Sequence, residues 1–395
     1  MMFQAVLSNR DHPEYGVATI PFPIPHDQYA HCMELLEALE IGDAVKADCK
    51  VEKIDSFYTV LKRTEMLTVN VEELNYLAKR LDSFDTGEAA QFQAMAHKLD
   101  LFELKDLINL TFCCQQATVI TDFSDLAAIG RDHYMNLHGG SAKTEELDAL
   151  DGEETARRLI ESGGGTITPY GVVYDNGMKL EQVYDGRFFP CYYYEPNAIT
   201  VAVTSKSELE DTEHITWLYL PMEREEVDRA LLRGGITDPS EIRLSLEDSQ
   251  LPNEVDVLLD MEYETLSDLN ELAAATDGLS KADMEKLGAV VMLAKPKSAA
   301  QIKNLAESLD LFDFAPGAHT SQEYGKYMIR QSGHFEYDEN LDAFYDYEKY
   351  GTERMNEEDG MFTDRGYIAY KGYTSMEEVM NGSQSNHMAM GGLSR

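Results

Sequence analysis

Short apolar runs open the chain. Phe3–Leu7 and Val17–Phe22 read as two paired strands, and a helical period follows over Pro25–Leu39. The same succession returns later as Ile199–Val203, Ile215–Leu220 and a helix over Glu223–Arg233. In between, Val71, Leu74, Leu77, Ala78 and Leu81 recur at helical spacing, with Glu72, Glu73, Lys79, Arg80 and Asp82 off that face. Asn70, three residues before Glu73, is a helix-start signal. Ser280-Lys-Ala-Asp283 and Ser298-Ala-Ala-Gln301 open two more helices. Each half ends on a helix and a hairpin, with Tyr170–Tyr174 and Gly366–Tyr370 as the β-rich strands. Small sheets alternating with runs of helix predict an α+β fold.

The echo between the halves keeps nearly the same offset throughout. Glu73-Leu74-Asn75-Tyr76-Leu77-Ala78 matches Asp268-Leu269-Asn270-Glu271-Leu272-Ala273, and 268 − 73 gives 195. Asp82 then matches Asp277, and Ala94 matches Ala289. Ile41-Gly42-Asp43 aligns with Ile236-Thr237-Asp238, Pro23 with Pro221, Gly130 with Gly325 and Gly177 with Gly372. Thr168-Pro169-Tyr170-Gly171 aligns with Thr363-Asp364-Arg365-Gly366. Common order and spacing predict a duplicated module, since such a period is far too long for a solenoid. The first copy spans 1–178 and the second 198–373. A linker, 179–197, holds the aromatic cluster Phe188-Phe189-Pro190-Cys191-Tyr192-Tyr193-Tyr194, suited to docking the copies together. Residues 374–395 form a tail, and from Gly382 it is rich in Ser, Gly, Asn and Met.

Charge changes the picture. There are 72 Asp and Glu against 33 Lys and Arg, a formal net charge of −39. That balance opposes binding to nucleic acid or anionic membrane and attracts proteins with basic surfaces. Duplex DNA carries about two charges per base pair, so −39 equals the phosphate of roughly 20 base pairs, and a pair of chains that of roughly 40. Solubility alone also makes proteins acidic.

Met1–Ile24 lacks the basic start and apolar core of a signal peptide, and no apolar stretch approaches a membrane span. The expected location is the cytoplasm. Cys32, Cys49, Cys113, Cys114 and Cys191 follow no disulfide-scaffold or zinc spacing. Gly163-Gly164-Gly165 lacks the Lys-Ser/Thr of a phosphate loop, and His133 and His138 belong to no ligand set. No nucleophile elbow or EF-hand loop is present. The expectation is a protein without catalytic residues, metal or cofactor.

Three stretches of the second copy carry a family resemblance. They are Ile199-Thr-Val-Ala-Val203 with Thr216-Trp-Leu-Tyr-Leu-Pro221, the helix Glu262–Ala273, and Leu341-Asp-Ala-Phe-Tyr-Asp-Tyr-Glu-Lys-Tyr-Gly351 with Phe362-Thr-Asp-Arg-Gly-Tyr-Ile368. Together they resemble the ArdA antirestriction proteins: an opening strand pair, a middle helix, and the antirestriction motif with its terminal hairpin. The first copy carries Leu147-Asp-Ala-Leu-Asp-Gly-Glu-Glu-Thr-Ala156 at the motif position; it keeps Leu147, Asp148 and Glu154 but none of the aromatics.

The resemblance implies an elongated acidic α+β protein that mimics B-DNA. Its expected partner is a type I restriction–modification enzyme, whose methyltransferase core it would occupy at the DNA-binding groove. Such proteins travel on plasmids and conjugative transposons. Family members work as dimers, so two fused copies would form either a pseudo-dimer within one chain or a homodimer. Phosphate mimicry would fall on Asp338, Glu339, Asp342, Asp346, Glu348, Glu353, Glu357, Glu358 and Asp359. Phe344, Tyr345, Tyr347 and Tyr350 would serve as core or as an association surface; Phe344, Tyr347 and Tyr350 recur at helical spacing, which favours core for two of the four. The competing readings are a decoy for another defence nuclease such as a CRISPR effector, a carboxylate-dependent hydrolase, and an acidic scaffold for basic proteins.

Overall fold

A computed structural model describes residues 2–192, 197–206, 214–334 and 336–382. Chain contacts divide it into two compact units, and the division does not fall at one point along the chain. The first unit comprises Met1–Tyr194 with Asp211–Thr216 and Glu223–Ser240; the second comprises Glu195–Glu210, Trp217–Met222 and Glu241–Arg395.

The first half of the chain runs β1 (Phe3–Asn9), β2 (Val17–Phe22), α1 (Tyr29–Glu37), β3 (Cys49–Ser56), β4 (Thr68–Val69), α2 (Val71–Asp82), α3 (Thr86–Lys98) and α4 (Leu104–Leu110). It continues as β5 (Thr118–Ile120), α5 (Leu126–Leu137), α6 (Thr144–Ala149), α7 (Gly152–Glu161), β6 (Thr166–Thr168) and β7 (Gly171–Tyr174). The second half runs β8 (Ile199–Ser205), β9 (Thr216–Leu220), α8 (Arg224–Arg233), β10 (Ile242–Ser249), α9 (Asn253–Asp256), α10 (Leu266–Thr276), α11 (Lys281–Ala294) and α12 (Ala299–Ala306). Then come β11 (Phe312–Pro316), α13 (Ser321–Arg330), α14 (Tyr347–Glu357), β12 (Asp359–Thr363), β13 (Gly366–Tyr370) and α15 (Met376–Met380). This is an α+β fold built on small antiparallel sheets.

The sheets share their strand orders. β1 lies between β2 and β3, with β4 beyond, as β8 lies between β9 and β10. β7 lies between β5 and β6, as β13 lies between β11 and β12. Local details match as well. Asn75 Oδ1 accepts from Ile24 N at 2.8 Å, and Asn270 Oδ1 accepts from Met222 N at 2.8 Å. At the terminal hairpins Thr168 Oγ1 donates to Gly171 O and Thr363 Oγ1 to Gly366 O, both at 2.8 Å. Gly171 and Gly366 both have positive φ, 128° and 136°. A Cβ there would lie 2.7 Å from Ile120 O or 2.2 Å from Ala315 O, so only glycine fits beside the neighbouring strand.

The strand that completes each opening sheet does not stand out in the sequence. β3 buries Cys49, Val51 and Ile54, which breaks a strict two-residue alternation. The cause is a register shift between Val6 and Leu7 on β1, where an extra residue in β3 moves the later side chains to the other face. β10 has the same irregularity between Leu246 and Asp248.

Helix α2 shows how a sequence-legible element acquires further partners. Its apolar stripe, Val71, Leu74, Leu77, Ala78 and Leu81, is buried in the first unit's core. Asn70 Oδ1 accepts from Glu73 N at 3.1 Å and caps the helix. The opposite face is occupied too. Glu72 accepts from Arg229 Nε at 2.6 Å, and Glu73 accepts from Tyr184 Oη at 2.8 Å. Burial raises the Glu73 carboxyl above its usual value.

The described aromatic residues Tyr184, Phe189 and Tyr192 pack into the core of this same unit. Tyr184 is fully buried, and Phe189 stacks on Tyr76 at 4.4 Å and on Tyr184 at 5.2 Å. Tyr193 and Tyr194 of the cluster lie outside the described residues. Of the expected tail, Met376–Met380 form a helix whose Met380 O accepts from Asn304 Nδ2 at 2.8 Å; residues 383–395 lie outside the described residues.

Candidate functional site

The motif of the second half folds around a close crossing of α13 and α14. Gly325 and Gly351 face each other there. A Cβ on Gly325 would sit 2.0 Å from Tyr347 O, and one on Gly351 1.8 Å from Ser321 O. Tyr324, Met328 and Tyr367 fill the small core beside the crossing, and Tyr350, Met355 and Phe362 pack against it. The first half has the same device in Gly130 and Gly152. Gly351 lies 199 residues after Gly152 (351 − 152), whereas Leu341 lies 194 after Leu147 (341 − 147). The helix crossing and the sequence match of the two motifs therefore use registers five residues apart.

Asp342 is the hub of the motif. It accepts from Arg330 Nη2, from Tyr347 Oη and from Tyr337 Oη. These hydrogen bonds, Tyr347 first and then Tyr337 and Arg330, hold its carboxyl well below the usual carboxylate range. Arg330 also donates from Nε to Tyr347 Oη at 3.1 Å and lies over the rings of Tyr337 and Tyr347. Asp342 is thus engaged by partners within the chain, although its side chain remains partly exposed. Glu358 is committed likewise: it accepts from Tyr324 Oη at 2.6 Å and pairs with Arg354. The remaining seven expected carboxylates, Asp338, Glu339, Asp346, Glu348, Glu353, Glu357 and Asp359, are exposed. Asp338 and Asp346 also cap the chain, accepting from Asn340 N at 2.9 Å and Lys349 N at 3.0 Å.

The motif aromatics separate into three roles. Tyr350 packs against the core and Tyr347 is half-buried as a donor to Asp342. Tyr345 is half-buried with its ring 5.8 Å from that of Tyr347. Phe344 is 83% exposed. Its helical spacing from Tyr347 misleads because Glu339–Phe344 is a separate 3-10 turn, and α14 begins only at Tyr347.

Three arginines of this region are held by carboxylates. Besides Arg330 and Arg354, Arg365 makes a two-pronged pair with Glu254, both contacts at 2.8 Å. In the first half the corresponding helix α7 behaves differently. Arg157 and Arg158 pair with Glu153 and Glu154 one turn away, at 3.2 and 2.9 Å, which offsets its own carboxylates. Among the described residues no group of three or more His, Cys, Asp or Glu is placed to hold a metal ion, and no helix is long and apolar enough to cross a membrane.

Outward carboxylates on the 3-10 turn, on α14 and at the start of β12 give this face an acidic surface, with Arg330, Arg354 and Arg365 paired to carboxylates of the chain. Residues 212–369 match the family model described as Antirestriction protein (ArdA). The similarity to the ArdA antirestriction family is confined to that stretch, which runs from just before β9 into β13. No curated protein matches the chain.

Proposed function

We propose that this protein is an antirestriction protein that mimics the charge of B-DNA and occupies the DNA-binding groove of type I restriction–modification enzymes by competition. The observation that carries this reading is the exposed carboxylate array of the motif, Asp338, Glu339, Asp346, Glu348, Glu353, Glu357 and Asp359, with Arg330 and Arg354 turned to Asp342 and Glu358. A basic groove would meet those carboxylates with charge-assisted hydrogen bonds. The family match and the net charge of −39 support the same reading. The matching element orders support a duplicated module, with 1–178 and 198–373 as its copies and the motif-bearing second copy as the principal contact surface.

The test is displacement. A purified type I methyltransferase is bound to labelled duplex DNA, this protein is titrated in, and the titration is repeated at several salt concentrations. Stoichiometric displacement that weakens with salt is the expected result. Absence of displacement at low salt would overturn the reading.

A further inference from the structure

The 3-10 turn Glu339–Phe344 places an apolar pair in an acidic surround. Side chains three residues apart eclipse in such a turn, so Leu341 and Phe344 form one row and Glu339 and Asp342 the next. The two rows have opposite fates. Asp342 is tied to Arg330, Tyr337 and Tyr347, which anchors the turn against α13 and α14. Leu341 is 48% exposed and Phe344 83%. Exposed carboxylates flank the pair: Asp338 and Glu339 on the turn, Asp346 and Glu348 at the start of α14.

We infer that Phe344, with Leu341 beside it, is an anchor that enters an apolar cleft within the basic surface of the target protein. This rests on the reading of the protein as a decoy for a basic DNA-binding groove, and it names a contact that DNA itself does not supply. The carboxylate rim selects the occupant. A second copy of this chain would bring the same carboxylates against these, and like charges brought together in an interface are costly. A basic surface complements the rim while its cleft takes the ring. Because the turn is already anchored, little ordering is left to be done on binding, which favours affinity. Apolar burial is not screened by salt, so the anchor supplies a part of the affinity that persists where the carboxylate array weakens.

The test uses the full chain in the same displacement of duplex DNA from a purified type I methyltransferase. Phe344→Ala is expected to displace DNA about tenfold more weakly at every salt concentration, with the salt dependence unchanged. Phe344→Leu is expected to retain most of the affinity. The double variant Asp346→Asn, Glu348→Gln, with Phe344 intact, is expected to flatten the salt dependence instead. Wild-type displacement with Phe344→Ala equal to wild type would overturn the anchor and leave the decoy reading standing. Wild type failing to displace DNA would overturn both. Sedimentation of wild type and Phe344→Ala completes the test: a lower mass for the variant would assign Phe344 to self-association and overturn the inference.

Discussion

Arg229 donates from Nε to Glu72 at 2.6 Å, across 157 residues of chain. Its Nη2 reaches Gly42 O at 2.8 Å. One turn further along α8, Arg233 is almost fully buried. It donates to Arg187 O, Ala44 O, Asn70 Oδ1, Tyr184 Oη and Gly186 O. A helix from the second half of the sequence thereby completes the first unit.

Truncating Arg233 removes the donors for those acceptors while Glu73 stays largely buried nearby. Arg233→Ala is expected to destabilise the first unit by about 3–5 kcal/mol. Arg233→Lys is expected to recover little, because an ammonium cannot reproduce the planar fork of donors. Hydrogen exchange of the α2 and α8 amides measures both; unchanged protection would refute this account of α8.

The glycine crossing makes a sharper steric prediction. Gly351→Ala places a Cβ 1.8 Å from Ser321 O, so α13 and α14 must separate. A cost of about 3 kcal/mol is expected, read from urea unfolding. Gly164→Ala, whose Cβ would meet nothing closer than 3.9 Å, serves as the near-neutral control.

Asp342 gives a pH signature of known sign. Its carboxyl is depressed in the folded protein. Its stabilisation of the turn is therefore complete above the unfolded value of about 3.9 and is lost as pH falls below it toward the folded value. NMR titration should show the Asp342 carboxyl still ionised where exposed carboxylates are half protonated. Asp342→Asn should raise hydrogen exchange over 339–344 at neutral pH and remove the acid dependence there. An Asp342 titrating with the exposed carboxylates would contradict the hub.

The exposed array should behave collectively. Glu353→Gln, Glu357→Gln or Asp359→Asn alone is expected to change target affinity less than about threefold, as single exposed charges contribute little. The triple variant is expected to lose affinity at low salt and to show a shallower salt dependence in the displacement titration. A single variant that abolishes displacement would point instead to one specific contact.

Much of the fold was legible because local chemistry decided it. β2 ends where the apolar run ends, and Asn70, Ser280 and Ser298 cap the helices they were expected to open. The domain-level resemblance in the second half was legible because the motif and hairpin are contiguous in sequence. Other features were not. The bulge that shifts β3 interrupts the alternation a strand is recognised by. The 3-10 turn before α14 imitates helical spacing and disguises Phe344 as a core residue.

The sequence by itself determined the charge, the α+β pattern, the echo between the halves and the nine candidate carboxylates, because these depend on composition and on neighbours along the chain. Only the tertiary structure decided which carboxylates face outward. Asp342 and Glu358 read like their neighbours, but from α13 Arg330 reaches Asp342 and Tyr324 reaches Glu358; only the Arg354–Glu358 pair, one helical turn apart, is local. The same holds for α2, where Glu72 and Glu73, off the apolar face, are engaged by Arg229, Arg233 and Tyr184. The side-chain type sets what a carboxylate can bind, and three-dimensional packing sets whether a partner is already there.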